Sequence, residues 1–145
     1  NMLANSRRTV YLGTQTAGLI ASGGPPAPGN NSAYSYDGTN WTATGVATVS
    51  ALSSRSGIGT ASSGLLMSGT VPMTTGQTSE LWNGTAFAND AVAATQRAEG
   101  QSSSASTTSS GYVTGGNNPT TPGSALTSTE EYTGTVAANL NITTS

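Results

Sequence analysis

Three observations predict an all-β fold of short antiparallel strands. An aromatic residue two places before a Gly-Thr pair occurs three times, at Tyr36, Trp82 and Tyr132. Glycine-led apolar stretches recur every 46 to 47 residues. Gly, Ser and Thr number 19, 21 and 25, which makes 65 of the 145 residues. Thr suits a pleated strand and Gly a tight turn, and a fixed period of this length marks stacked β units rather than a disordered polar tract.

The apolar stretches open at Gly18, Gly64 and Gly111, spaced 46 and 47 residues apart. The hairpin glycines Gly38, Gly84 and Gly134 are spaced 46 and 50. Two landmarks with one period divide the chain into units of approximately 1–49, 50–93 and 94–145 within a single repeat module. Four strands are expected per unit. The first is rich in small residues, as in 57–61. The second is the apolar stretch, as Leu65 to Ser68, running to the glycines Gly23, Gly69 and Gly116. The third leads into the hairpin, as Ala33 to Tyr36 and Ser79 to Trp82. The fourth leaves it, as Asn40 to Ala43 and Ala86 to Ala88. Asp37-Gly38 and Asn83-Gly84 between them predict two-residue type I′ turns, which need positive φ at both central positions. The one helical expectation is a weak turn over 91–95.

All six prolines (Pro25, Pro26, Pro28, Pro72, Pro119, Pro122) fall between the second and third strands. Proline cannot donate to a β-ladder, so 24–32, 70–78 and 116–129 are expected as loops that emerge on one side. Arg8, Arg55 and Arg97 precede the apolar stretches by 10, 9 and 14 residues. They read as structural partners for a carboxylate or for backbone carbonyls.

A unit with an arginine, a double glycine, then Tyr-Asp and Trp resembles the kelch repeat of β-propellers. Gly23-Gly24 and Gly115-Gly116 match the double glycine, and Gly69-Thr70 departs from it. Tyr36-Asp37 with Trp41 matches the later pair; Trp82 with Phe87 matches in kind; Ala137 replaces the second aromatic after Tyr132. The wording Gly-Thr-Gln-Thr-Ala-Gly at 13–18 and Tyr-Asp-Gly-Thr-Asn-Trp-Thr at 36–42 looks like the Thr/Gly-rich kelch-like repeats of phage virion and tail-associated proteins, marine and cyanobacterial ones in particular. The resemblance implies about three four-stranded antiparallel blades, with apolar residues packed between blades and hairpin aromatics covering the outer part of each layer. Three blades do not close a propeller of about four to eight. Further repeats or further copies of the chain are therefore the expected partners, with two copies making six blades. A β-rich repeat stack in a trimeric fibre is the alternative fold.

Composition narrows the chemistry. The chain has no Lys, His or Cys, four Arg, and a net charge of −2. It lacks the basic stripe that nucleic acid needs, thiolate zinc ligands, and the usual general base. No apolar run approaches a membrane helix. Asn1 ahead of Met2 reads as the start of a processed or truncated piece. Glu130-Glu131 is the only adjacent acid pair, and strand neighbours point to opposite faces, so no catalytic carboxylate pair, no metal site and no cofactor is expected. Tyr36, Trp41, Trp82 and Tyr132 could stack on sugars, but their fixed repeat position favours a structural role. Asn30, Asn31, Asn117 and Asn118 in the proline-bearing loops are the candidate binding residues, since surface loops carry variable recognition. The expectation is a non-catalytic structural or adhesion module of a virion (tail appendage, fibre or head decoration), placed on the particle or outside the cell. Its partners would be other virion proteins or a host-surface glycan. The alternatives are a carbohydrate-binding propeller or an accessory part of a larger secreted enzyme.

Overall fold

The computed structural model describes residues 7–24, 31–49, 51–69, 78–92, 95–102, 108, 110–121 and 123–132. They form an all-β structure of three antiparallel sheets, none of them closed into a barrel. No helix among them is long and apolar enough to cross a membrane. Sheet 1 is a meander of β1 (Val10–Thr14), β2 (Ala17–Ala21), β3 (Ser32–Tyr36) and β4 (Trp41–Ala47). Sheet 2 repeats it with β5 (Ser56–Gly59), β6 (Gly64–Met67), β7 (Thr78–Trp82) and β8 (Phe87–Val92). Sheet 3 has three described strands, β9 (Gln101–Ser102), β10 (Gly111–Thr114) and β11 (Thr129–Tyr132). The expected fourth strand after Tyr132, with Gly134 and Ala137, lies outside the described residues, as do Asn30 and every proline except Pro119. Ala91 and Val92, expected in a helical turn, belong to β8.

One register runs through all three sheets. Gly18 pairs with Tyr36, Gly64 with Trp82, and Gly111 with Tyr132. That alignment defines equivalent positions and decides which face each residue presents. Val10, Leu12, Leu19, Ala21 and Ala33 of sheet 1 pack on Leu66 and Trp82 of sheet 2, with Val46 and Phe87 at the margin. Ile58, Leu65, Met67 and Leu81 of sheet 2 pack on Val113 and Tyr132 of sheet 3. Sheet 2 is thus covered on both faces, and β6 is buried along its whole length. The first strands lie side by side, β1 against β5 and β5 against β9. Close approach there depends on glycine: a Cβ at Gly57 would collide with Val10 and Leu12, and one at Gly64 with Leu12.

The hairpins differ from the two-residue turn expected of them. Tyr36 pairs with Trp41 and Trp82 with Phe87, so each loop has four residues, and Asp37 and Asn83 have no positive φ. Asp37 Oδ1 accepts the N–H groups of Thr39 (2.8 Å) and Asn40 (2.7 Å). Asn83 Oδ1 does the same for Thr85 and Ala86, both at 2.9 Å. The short side chain satisfies the N–H groups that a tighter turn would have placed in the ladder. Those two N–H groups, Asn40's first, also hold the Asp37 carboxyl below its usual pKa.

The double glycine shifts by one place as well. Ser22-Gly23, Ser68-Gly69 and Gly115-Gly116 are the equivalent pairs, and all six residues have positive φ. Serine occupies the first αL position in two units, where a short polar side chain is tolerated. Gly23-Gly24 resembles Gly115-Gly116 in letters but lies one residue out of register with it.

Candidate functional site

Two buried ion pairs organise the connections between sheets. Arg55 Nη1 meets Glu80 Oε1 at 2.6 Å, and both side chains are fully buried. Glu80 Oε2 accepts the N–H of Val49 at 2.8 Å, and Arg55 Nη2 donates to Leu66 O at 3.1 Å. One carboxylate therefore holds both the start and the end of the segment leading from sheet 1 to sheet 2. Burial pushes the Arg55 guanidinium below its usual pKa, and the charge of Glu80 opposes that shift. The same device recurs between sheets 2 and 3. Arg97 Nη2 lies 3.0 Å from Glu130 Oε1, which also accepts Thr95 N–H at 2.8 Å. Arg97 donates further to Gly115 O (2.6 Å), Ser128 O (3.2 Å) and Ser128 Oγ (3.1 Å).

Arg8, Arg55 and Arg97 reach these places from three different positions. Arg7 bridges Gly24 and Ala98 bridges Asn117, so Arg8 is equivalent to Glu99, and Arg97 lies one residue before the bridge. Arg55 follows Ser54, which shares the backbone of Arg8 and Glu99, with φ of 55°, 56° and 58°. The arginine spacing is thus not one structural landmark; what recurs is a carboxylate two residues before the hairpin aromatic. In sheet 1 that position is Tyr34, which carries no charge. Glu80 and Glu130 were absent from the sequence-based candidates, although the Glu-x-aromatic spacing at 80–82 and 130–132 could have found them.

The hairpin aromatics stack in pairs in sheets 1 and 2, and in sheet 3 Tyr132 bonds across to its neighbour. Trp82 and Phe87 stack at 4.5 Å between ring centroids, and Trp82 Nε1 donates to Ala61 O at 2.8 Å. Tyr36 and Trp41 stack at 4.9 Å, on the face of sheet 1 turned away from sheet 2. The Tyr132 hydroxyl donates to Asp90 Oδ2 at 2.7 Å, tying sheet 3 to β8 of sheet 2. Burial first, then that hydrogen bond and the charge of Asp90, push the Tyr132 hydroxyl well above the ordinary tyrosine range.

An exposed polar cluster among the described residues lies where the first strands begin. Ser54 N donates to Arg8 O and Glu99 N to Ser54 O, each at 3.0 Å, so the three αL residues form a hydrogen-bonded stair across the sheets. Gly23, Gly69 and Gly116 stand beside it: Gly23 N donates to Leu52 O (3.1 Å) and Gly69 N to Arg97 O (3.0 Å), while a Cβ at Gly116 would collide with Ala98 O. Spanning the stair from end to end, Arg8 Nε approaches Glu99 Oε1 at 4.0 Å, with both side chains at least half exposed. Asn117 Nδ2 donates to Glu99 Oε2 at 3.1 Å. Asn118 caps its own loop instead, its Oδ1 accepting Thr120 N (2.9 Å) and Thr120 Oγ1 (2.6 Å). Asn31 contributes its carbonyl to Thr48 N at 2.8 Å and is exposed. Of the described loop asparagines, Asn117 alone joins charged side chains, so Arg8, Glu99 and Asn117 form the candidate polar site. It offers a cation, a carboxylate and an amide in water, a set able to hydrogen-bond a polyol.

No family profile and no curated protein matches the chain. Among solved structures, that of YjhT superposes with a TM-score of 0.68 at 14% identity, over 90% of this chain. The chain spans 43% of YjhT's length. At that identity the likeness extends to the fold alone.

Proposed function

We propose that this chain is a non-catalytic structural or adhesion module of a virion, built from propeller-like blades. The observation that carries the structural half is the use made of its charges. Glu80 and Glu130 are fully buried against arginines and fix the inter-sheet connections, and Asp37 and Asp90 serve a turn and a sheet-to-sheet bond. Placement of four of the six carboxylates in such bonds supports a scaffold role. The virion half rests on the resemblance of 13–18 and 36–42 to phage kelch-like repeats. Mass spectrometry and antibody labelling of purified particles test it: the chain is expected at fixed stoichiometry on the particle. Its recovery only as free protein, or glycoside hydrolysis by the purified chain, counts against it.

The exposed cluster of Arg8, Glu99 and Asn117 favours a second reading, recognition of a carbohydrate at this end of the molecule. Glycan-array binding that Glu99→Gln and Asn117→Ala abolish, with an unchanged β-sheet circular dichroism spectrum, would establish it. Equal binding by the variants and the parent would remove it.

A further inference from the structure

The hairpin tips of sheets 1 and 2 are built alike and differ in one functional group. Asp37 and Asn83 each open a four-residue loop, and each donates its N–H to the carbonyl of the loop's last residue at 3.3 Å. Each Oδ1 accepts the N–H groups of the third and fourth loop residues. Gly38 and Gly84 follow, with φ of 95° and 91°. Where sheet 1 carries a carboxylate, sheet 2 carries an amide.

Asn83 is also the one asparagine of the chain that is followed by glycine. A backbone nitrogen can attack the amide carbon of the side chain before it, and glycine, with no Cβ, lets the two come together. The Gly84 N–H takes no part in the hydrogen bonds that close the loop. Asn83, Gly84, Thr85 and Ala86 are all exposed, so water reaches them. The N–H groups of Thr85 and Ala86, both 2.9 Å from Asn83 Oδ1, polarise its carbonyl. They face the oxygen on which negative charge develops when Cγ is attacked, as the donors of an oxyanion hole do.

We infer that Asn83 is a site of spontaneous deamidation, which converts the sheet 2 hairpin into the form sheet 1 already has. Gly84 N attacks Asn83 Cγ and gives its proton to solvent. The bond from Cγ to Nδ2 breaks, Nδ2 takes up a proton, and ammonia leaves behind a cyclic succinimide. Water then opens the ring. Attack at Cγ breaks its bond to Gly84 N and yields aspartate in the ordinary backbone. Attack at the main-chain carbonyl carbon of residue 83 yields isoaspartate. Either way one water is consumed and one ammonia released. The Thr85 and Ala86 donors favour the first route, because they again face the oxygen on Cγ. Asp37 shows that the product fits, since its carboxylate keeps the same two hydrogen bonds at 2.8 and 2.7 Å. The net charge of −2 becomes one unit more negative. The inference rests on the hairpin alone and on neither reading of function, so each can fail by itself.

Incubation of the purified chain in mildly alkaline buffer, folded and in urea, tests it. Isoelectric focusing, peptide mapping and enzymatic methylation of isoaspartate follow the products. The folded chain is expected to gain one acidic band, with the change mapped to Asn83. Its ratio of aspartate to isoaspartate should be about tenfold above that in urea. Asn83→Asp should focus at the position of that band from the start and keep the parent's circular dichroism spectrum and thermal midpoint. A folded chain that stays intact at Asn83, whatever the urea sample does, overturns the inference. So does a product ratio equal to that in urea, or an Asn83→Asp variant that loses the fold.

Discussion

Glu80 is the residue on which most depends. It is fully buried, and it holds Arg55 and the Val49 N–H at once. Glu80→Ala leaves a buried guanidinium without its carboxylate, a loss expected to cost about 3–5 kcal/mol. A lowered urea midpoint at neutral pH checks this, and a change under about 1 kcal/mol would contradict it. Tyr132 makes a pH-dependent contribution of defined sign. Its hydroxyl keeps its proton in the folded state at a pH where an unfolded tyrosine releases it. That stability is fully present below the unfolded tyrosine value, about pH 10, and is lost as pH rises toward the folded one. The parent should lose about 1.4 kcal/mol per pH unit in that window from this group, and Tyr132→Phe should lack that part of the slope. Legibility at this scale was uneven. The arginines stood out in a chain with no lysine: Arg55 and Arg97 meet buried carboxylates, and Arg8 approaches Glu99 at the surface. Glu130 was hidden beside Glu131, which points to the opposite face, and Tyr34 interrupts the glutamate pattern in the first unit. Asn117 was legible as a loop residue, but its partners Arg8 and Glu99 are distant in sequence and meet only because the αL stair aligns them.

At the scale of single elements, strand order and hairpin position were readable, because Gly18, Gly64 and Gly111 keep one register against Tyr36, Trp82 and Tyr132. The turn geometry was not. Asp-Gly and Asn-Gly are compatible with two kinds of loop, and only the hydrogen bonds from the third and fourth loop residues to Oδ1 choose between them. The first strands show the opposite case, in which small residues have a clear consequence. Gly57 lies under Val10 and Leu12, so Gly57→Ala must displace both. The expected cost is about 1–3 kcal/mol, read as a lowered thermal midpoint. Val10→Ala in the same chain should recover part of it, because the space it vacates accepts the new methyl; equal losses in the single and double variants would refute the contact.

For the whole molecule, the two apolar layers share sheet 2, and every residue of β6 is buried. Amide exchange should accordingly be slowest in β6, and faster in β4 at the edge of sheet 1. Uniform protection across the three sheets would contradict that order. The all-β character and the three sheets were legible from the period. Which face meets which neighbour was not, because Leu65 and Leu66 point to different layers and read in sequence as one apolar run. The clamps at Glu80 and Glu130 also bear on how the molecule behaves under tension. When the chain is pulled from its ends, load reaches each inter-sheet connection, and there a single carboxylate bonds to both ends of the segment. The connection cannot pay out until that carboxylate lets go. Rupture should therefore come as discrete steps, one sheet at a time, and Glu80→Ala should lower the force of one step while leaving the others in place.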